Sequence, residues 1–190
     1  MRWALMAGAA VAMLSMGSQS VRAEESKVPI SFSGGHETDP QDRGRPVVLV
    51  AGGLGVAPEV FREAFRGVTP ARGGPPTGEQ ARKNKEALMK VLKPHGVSND
   101  LLDTVSNYYR YRPQEGEMWP TTEAKGYAVV EAGQIRKIVI TEGGSGYSSE
   151  PKVTVEGMKN VKLKTTLAFG KELKKNGAVA SVEVAKDEKR

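Results

Sequence analysis

The chain has 190 residues, no cysteine, and 28 lysines and arginines against 22 aspartates and glutamates, a formal charge of +6. Without cysteine, disulfide stapling, thiolate metal sites and thiol nucleophiles are excluded. The length suits one domain or two small ones, and the positive balance favours polyanions such as anionic glycans, lipid headgroups or nucleic acid as partners.

Arg2 and the amino terminus form a short positive region, and residues 3–16 then run without a charge. Gly17 to Ser20 break the run, and Val21-Arg22-Ala23 puts small residues at the two positions a signal peptidase reads before Glu24. The apolar stretch is shorter than the ~20 residues a membrane span requires, and no cysteine follows it to carry a lipid. The expectation is a cleavable signal peptide over residues 1–23 and a secreted or periplasmic mature chain with no membrane anchor. Removing those 23 residues leaves 167, and the loss of Arg2 and Arg22 lowers the formal charge from +6 to +4.

Residues 24–45 are polar and glycine-bearing, with one short apolar alternation at Val28-Pro29-Ile30-Ser31-Phe32, and read as a flexible leader. Residues 46–113 are helical in texture. Val47 to Leu54 suits a helix closed by Gly55 at least as well as a strand entering a phosphate loop, because Pro58 stands where a dinucleotide fingerprint needs a third glycine. Pro58 opens a helix with Val60, Phe61, Ala64 and Phe65 on one face. Thr77 and Gln80 form a capping-box pair at the start of another, which stops at Pro94. A further helix follows Ser98 and ends at Pro113. Gly55-Val56, Gly67-Val68 and Gly96-Val97 repeat one device: a glycine to close a helix and a valine to pack back on it.

After Trp119-Pro120 the period becomes two. Strands are expected at 127–130, 135–141, 152–155, 161–169 and 178–184, separated by turn signals at Ala132-Gly133, Gly143-Gly144, Glu156-Gly157 and Asn176-Gly177. Residues 133–140 align with 177–184, each following a strand and a turn, which predicts two related β-units. The fold class is therefore α+β, a small helical array followed by an antiparallel β-sheet or sandwich-like repeat unit over 120–185, with a charged tail at 186–190.

The run Ile138-Val139-Ile140-Thr141-Glu142-Gly143-Gly144-Ser145-Gly146-Tyr147, continuing through Pro151 to Val153-Thr154-Val155, resembles the Gly-Ser-Gly-Tyr β-repeat of bacterial secreted and surface proteins and of phage structural proteins. The resemblance covers about a third of the chain and implies a structural or adhesive role. The chain departs from it in having one full copy and an insertion at 171–176. The N-terminal half is similar to uncharacterised exported bacterial proteins. Independently of any family, Gly144, Gly146, Tyr147 and Pro151 suit a tight corner: glycines for positive φ, a ring to cover it, and a proline before the next strand. The Gly144-Ser145-Gly146 run is no nucleophile elbow, since Tyr147 stands where that motif needs glycine and a strand follows instead of a helix.

Chemical candidates are few. His36, Asp39 and Asp42 gather oxygen and nitrogen ligands, but a calcium loop starting at Asp39 would place Arg43 and Val50 at ligand positions. His95 lies at a helix end, where an imidazole favours the terminal carbonyls. With two histidines and no carboxylate dyad, general acid–base chemistry has little to draw on, and neither a metal nor a cofactor is expected. Tyr109, Arg110, Tyr111 and Arg112, with Trp119 close behind, interleave aromatics and guanidiniums in the way that stacks on sugars or bases and pairs with carboxylate, sulfate or phosphate. The alternative is that these aromatics pack the junction between the two halves.

The functional expectation is an exported, non-catalytic structural or interaction protein. A polyanion- or glycan-binding module using the Arg/Tyr patch comes second and a small extracytoplasmic hydrolase third. Partners would be a cell-envelope or extracellular polyanion or glycan, or another protein. Mass spectrometry of the exported chain should find its N-terminus at Glu24 or within a few residues of it; intact Met1 in the exported fraction would defeat the signal-peptide reading.

Overall fold

A computed structural model describes residues 24–71, 74–111 and 116–185. Residues 1–23, expected from sequence to be a signal peptide, Arg112 and the 186–190 tail lie outside the described residues. The protein is α+β: β1 (Glu25–Ser33), α1 (Val47–Leu54), α2 (Pro58–Arg66), α3 (Gly78–Leu92), α4 (Asn99–Tyr108), then β2 (Lys125–Glu131), β3 (Gln134–Glu142), β4 (Lys152–Val155), β5 (Leu163–Ala168) and β6 (Ala178–Val184). No helix among the described residues is long and apolar enough to cross a membrane.

Residues 24–45 are not the flexible leader that their polar composition suggests. Glu25–Ser33 is a central strand in a sheet of order β3-β2-β1-β4. Residues 25–29 pair antiparallel with β2, and residues 30–33 pair antiparallel with β4. The change of partner falls at Pro29, whose missing N–H would break a continuous ladder. Ile30 and Phe32, on the inward face, are buried in the β-core. The rest of 24–45 is held by a 3-10 turn at Pro40–Asp42, capped by Asp39, which accepts the Gln41 N–H at 3.0 Å.

The helical half follows its sequence signals closely. α1 is apolar on all sides and is almost wholly buried, as a central helix must be. Gly52 and Gly53 let its neighbours approach. A Cβ at Gly52 would stand 2.7 Å from the Asn176 side-chain oxygen, and one at Gly53 would stand 2.9 Å from Val105 and from Leu173. Thr77 and Ser98 cap α3 and α4 by accepting the N–H of Gln80 and of Leu101. The capping box is only half made: the Gln80 amide reaches across to the Thr69 carbonyl at 3.2 Å instead of turning back. Gly55 and Gly96 close their segments with positive φ as the sequence suggests, whereas Gly67 is right-handed. α4 also stops at Tyr108, before Pro113.

The β-half contains two hairpins of matching register. In β2–β3, Val129 faces Lys137, Val130 faces Ile135, and Arg136 bulges between them. In β5–β6, Thr166 faces Ser181, Leu167 faces Val179, and Ala180 bulges. Arg136 and Ala180 are equivalent residues of the internal alignment, so the two hairpins share even their irregularity. The β5–β6 hairpin packs with β6 beside β3 and β5 beside β4, and a second core of Ile30, Phe32, Ala128, Tyr147, Val153 and Val182 fills the space inside.

The Gly143 to Tyr147 corner and the loop before β6 join the halves. Gly146 N–H donates to the Asn176 carbonyl at 2.9 Å, Tyr147 N–H to that of Gly177 at 3.0 Å, and Val179 N–H to that of Gly143 at 2.8 Å. On the other side, Ser145 exchanges backbone bonds with Thr122. Gly144 and Gly146 both have positive φ, and a Cβ on Gly146 would stand 2.6 Å from the Pro120 oxygen. Tyr147 is buried, and its hydroxyl accepts the Ala124 N–H at 3.0 Å. Pro151 is buried just before β4, and its carbonyl accepts the Thr165 hydroxyl at 3.3 Å.

Asn176, 1% exposed, carries the link into the helices. Its amide nitrogen donates to Leu49 O at 2.7 Å and to the Tyr109 hydroxyl at 2.9 Å, while its oxygen accepts the Gly170 N–H at 3.0 Å. Asn176→Ala should cost about 2–4 kcal/mol, because it leaves buried groups on three segments without a partner. Asn176→Asp should cost at least as much, since a carboxylate cannot donate to Leu49 O. Chemical denaturation reads both; a loss below about 1 kcal/mol would show that the halves are held together elsewhere.

Candidate functional site

The aromatic–arginine patch anticipated from sequence does not form one open face. Tyr109 and Trp119 are each 3% exposed and belong to the helical core. Trp119 Nε1 donates to Gly146 O at 2.8 Å, and the Tyr109 hydroxyl donates to Leu173 O at 3.3 Å. Both are joints between the halves, which leaves their faces closed to a ligand. Tyr111 packs edge-on to Trp119 with ring centroids 5.4 Å apart, yet stays 37% exposed. Arg110 is exposed and bonds the Asn107 side chain. Of the five residues, Tyr111 and Arg110 present surface among the described ones, and Arg112 lies outside them.

His36 and the two aspartates do not converge either. The His36 ring stacks on Tyr147 at 5.1 Å, and its Nδ1 lies 3.2 Å from Gly146 O, so it covers the glycine corner. Asp42 is buried and takes a two-pronged ion pair from Arg62, with Nε to Oδ1 at 2.8 Å and Nη2 to Oδ2 at 2.9 Å. The same guanidinium lies 3.8 Å from Asp39. It thus occupies the place between two carboxylates that a cation would need. No group of three metal-ligating side chains occurs among the described residues. The Glu37 carboxylate, bonded by the Ser149 hydroxyl, is held below the usual carboxylate range mainly by that bond. His95 is exposed in the last turn of a 3-10 segment.

What the fold does assemble is a cationic cleft that local sequence did not single out. Arg43 and Gly44 both have positive φ, 51° and 82°, so the chain reverses after the 3-10 turn and lies back across α2. Asp42 is then clamped by Arg62, while Arg45 turns over the Phe65 ring at 4.1 Å and donates to Asp42 O at 3.3 Å. Arg62 and Phe65 sit one turn apart on α2, so a single helix face anchors both ends of the loop.

On one side of the loop lies a cleft of about 370 Å³ lined by Arg43, Arg45, Arg62, Arg66 and Asp42. On the other is one of about 530 Å³, lined by Phe65, Tyr111, Arg43 and Arg45 above the buried rings of Phe61 and Tyr109. Arg62 is neutralised by Asp42, and Arg66 pairs with Glu63. Neither Arg43 nor Arg45 makes a salt bridge to a carboxylate among the described residues, although Asp42 acts on Arg45 at longer range. Burial lowers the Arg45 pKa, and the like charge of Arg43 lowers it further, against the pull of Asp42. Two guanidiniums that disfavour one another, one of them pre-set on an aromatic ring, make a site whose electrostatics improve when an anion arrives. The sequence signal was there in Arg43-Gly44-Arg45 and in the Arg62, Arg66 spacing, but only the reversal at Arg43 brings them together.

Compared with protein-family models, with curated proteins and with solved structures, the chain matches none.

Tyr109 lines the larger cleft and titrates in a way that can be measured. Burial raises its phenol pKa to about 12, while the Asn176 amide pulls it down and Tyr108 raises it. In the unfolded chain the phenol titrates near about 10. The folded state therefore keeps its proton where the unfolded state loses it, so the contribution is full below about pH 10 and disappears as pH rises towards about 12. The loss should be about 2–3 kcal/mol, and Tyr109→Phe should remove that slope in denaturation measured across the window. An unchanged slope in the variant would place the titration elsewhere.

Proposed function

We propose that this chain is an exported interaction protein that binds polyanions through the cleft between the Arg43–Arg45 loop and α2. The observation that carries the reading is the Arg43, Arg45 pair: two arginines that line the same two clefts and act on one another electrostatically, while the Asp42 carboxylate in the smaller cleft is paired to Arg62. The net charge of the exported chain, +4 after the loss of Arg2 and Arg22, points the same way and would steer a polyanion towards it. The resemblance of residues 127–184 to the Gly-Ser-Gly-Tyr repeat of secreted and surface proteins fits a binding module of the cell exterior. A nucleophile and base in contact would favour a hydrolase instead. The histidine nearest such a role, His36, is committed to the Gly146 carbonyl and the Tyr147 ring.

Calorimetric titration with a heparin-like polymer at two salt concentrations tests the proposal. Affinity should fall steeply with salt, because bound polymer releases counterions. Arg43→Asn with Arg45→Gln should weaken binding on the order of tenfold without unfolding, asparagine being tolerant of the left-handed conformation at position 43. Arg110→Ala, outside the cleft, should leave affinity nearly unchanged. Absent binding at low salt, or full affinity in the double variant, would overturn the assignment.

A further inference from the structure

The two clefts flanking the Arg43–Arg45 loop differ in chemistry, and that difference specifies the polyanion. The smaller one brings Arg43, Arg45, Arg62 and Arg66 together beside Asp42, with no exposed tyrosine in its lining. The larger one, about 530 Å³, falls in the size range of ligand pockets and adds the Tyr111 ring to Arg43 and Arg45. A polymer that carries charge and nothing else, such as a phosphate chain, would use the first and leave the second filled with water. Tyr111 makes the aromatic wall accessible. It is more than a third exposed although its ring edge is packed against Trp119. Gly44 packs against one side of that ring, where a Cβ would lie 3.4 Å from it, so the exposed part of Tyr111 is what a ligand can reach.

We infer that the cleft recognises an acidic sugar within a glycan chain, with the carboxylate of a uronate-type ring at Arg43 and Arg45 and the apolar face of the ring against Tyr111. This rests on the polyanion reading of the same site and adds the ligand's class. The matching features are two guanidiniums, each able to fork onto a planar carboxylate, and the exposed Tyr111 ring in the same cleft. Arg45 is already fixed over Phe65 at 4.1 Å and anchored to Asp42 O, so little side-chain freedom is lost on binding. The mixture of ring and charge also predicts a distinctive salt response. The counterion-driven share of the affinity weakens with salt, and the stacking share persists.

The test compares three probes by calorimetry on the same protein: an oligogalacturonate, its methyl-esterified neutral form, and a polyphosphate of matched charge. The oligogalacturonate should bind at least about tenfold more tightly than either of the others, and should retain measurable binding at a salt concentration that abolishes polyphosphate binding. Tyr111→Ala should weaken the sugar-acid on the order of tenfold and leave polyphosphate unchanged; a thermal melt accompanies it to show that the variant is folded. Should Tyr111→Ala lose its fold, Tyr111→Leu replaces it, keeping bulk while removing the aromatic face. Equal affinity for oligogalacturonate and polyphosphate would overturn the sugar assignment and leave polyanion binding standing. Equal affinity for the neutral ester would overturn it by showing that the carboxylate is not read. Failure of every probe at low salt would overturn both the sugar assignment and the polyanion reading beneath it.

Discussion

The carboxamide of Asn176 lies where the helical core meets the β-core, and three otherwise separate segments close around it. Its nitrogen donates to α1 through Leu49 O and to α4 through the Tyr109 hydroxyl, and its oxygen accepts from Gly170 in the loop that leads to β6. Asparagine is the side chain that can satisfy such a mixture, since one amide offers two donors and an acceptor in one plane. Buried away from water, each of those groups must find a protein partner. The positions of α1, α4 and the β5–β6 loop relative to one another are therefore fixed together. Gly52 permits the arrangement by leaving room for the Asn176 oxygen against the helix.

From that joint the geometry passes to the Gly-Ser-Gly-Tyr corner. The Asn176 carbonyl receives Gly146, and the Gly146 carbonyl in turn receives Trp119 and faces His36. One short segment thus gathers β1, the stretch before β2 and the stretch before β6. Tyr147 seals it, with Gly35 brought so close that a Cβ there would come within 2.6 Å of the ring. Residues of the kind that carry catalysis or stacking elsewhere, His36, Tyr109 and Trp119, are spent here on holding two halves together. That leaves the surface chemistry to arginine. The loop after the 3-10 turn is pinned by the buried Asp42–Arg62 pair. A buried carboxylate is tolerable only because both its oxygens are met by a guanidinium, and the cost of separating them keeps the loop on α2. With Asp42 so occupied, Arg43 and Arg45 face the clefts without a carboxylate of their own among the described residues, so the pair that closes the loop also leaves the site cationic.

Most element positions were legible in the sequence because they depend on local physics. Thr77 and Ser98 cap helices because a side-chain oxygen can reach an N–H three residues on. The paired hairpins were legible through their alignment, down to the bulge shared by Arg136 and Ala180. β1 was not, because its polar outer face and short apolar alternation specify a strand only when β2 and β4, about a hundred residues downstream, supply the other half of the ladder. Asn176 was legible as a turn residue, which its neighbour Gly177 with positive φ supports, but its side-chain partners come from α1 and α4. The aromatic run at 108–111 was visible as chemistry and invisible as packing, since burial of Tyr109 depends on where Leu173 and Asn176 lie. By itself, then, the sequence determined the α+β class, the helix caps, the hairpins and the glycine corner, all set by periods, turns and caps acting within a few residues. Only the tertiary structure decided that residues 25–33 are a central strand, that Asn176 locks the halves, and that Arg43 and Arg45 share a cleft with Tyr111, because each of these is a contact between residues that chain connectivity leaves far apart.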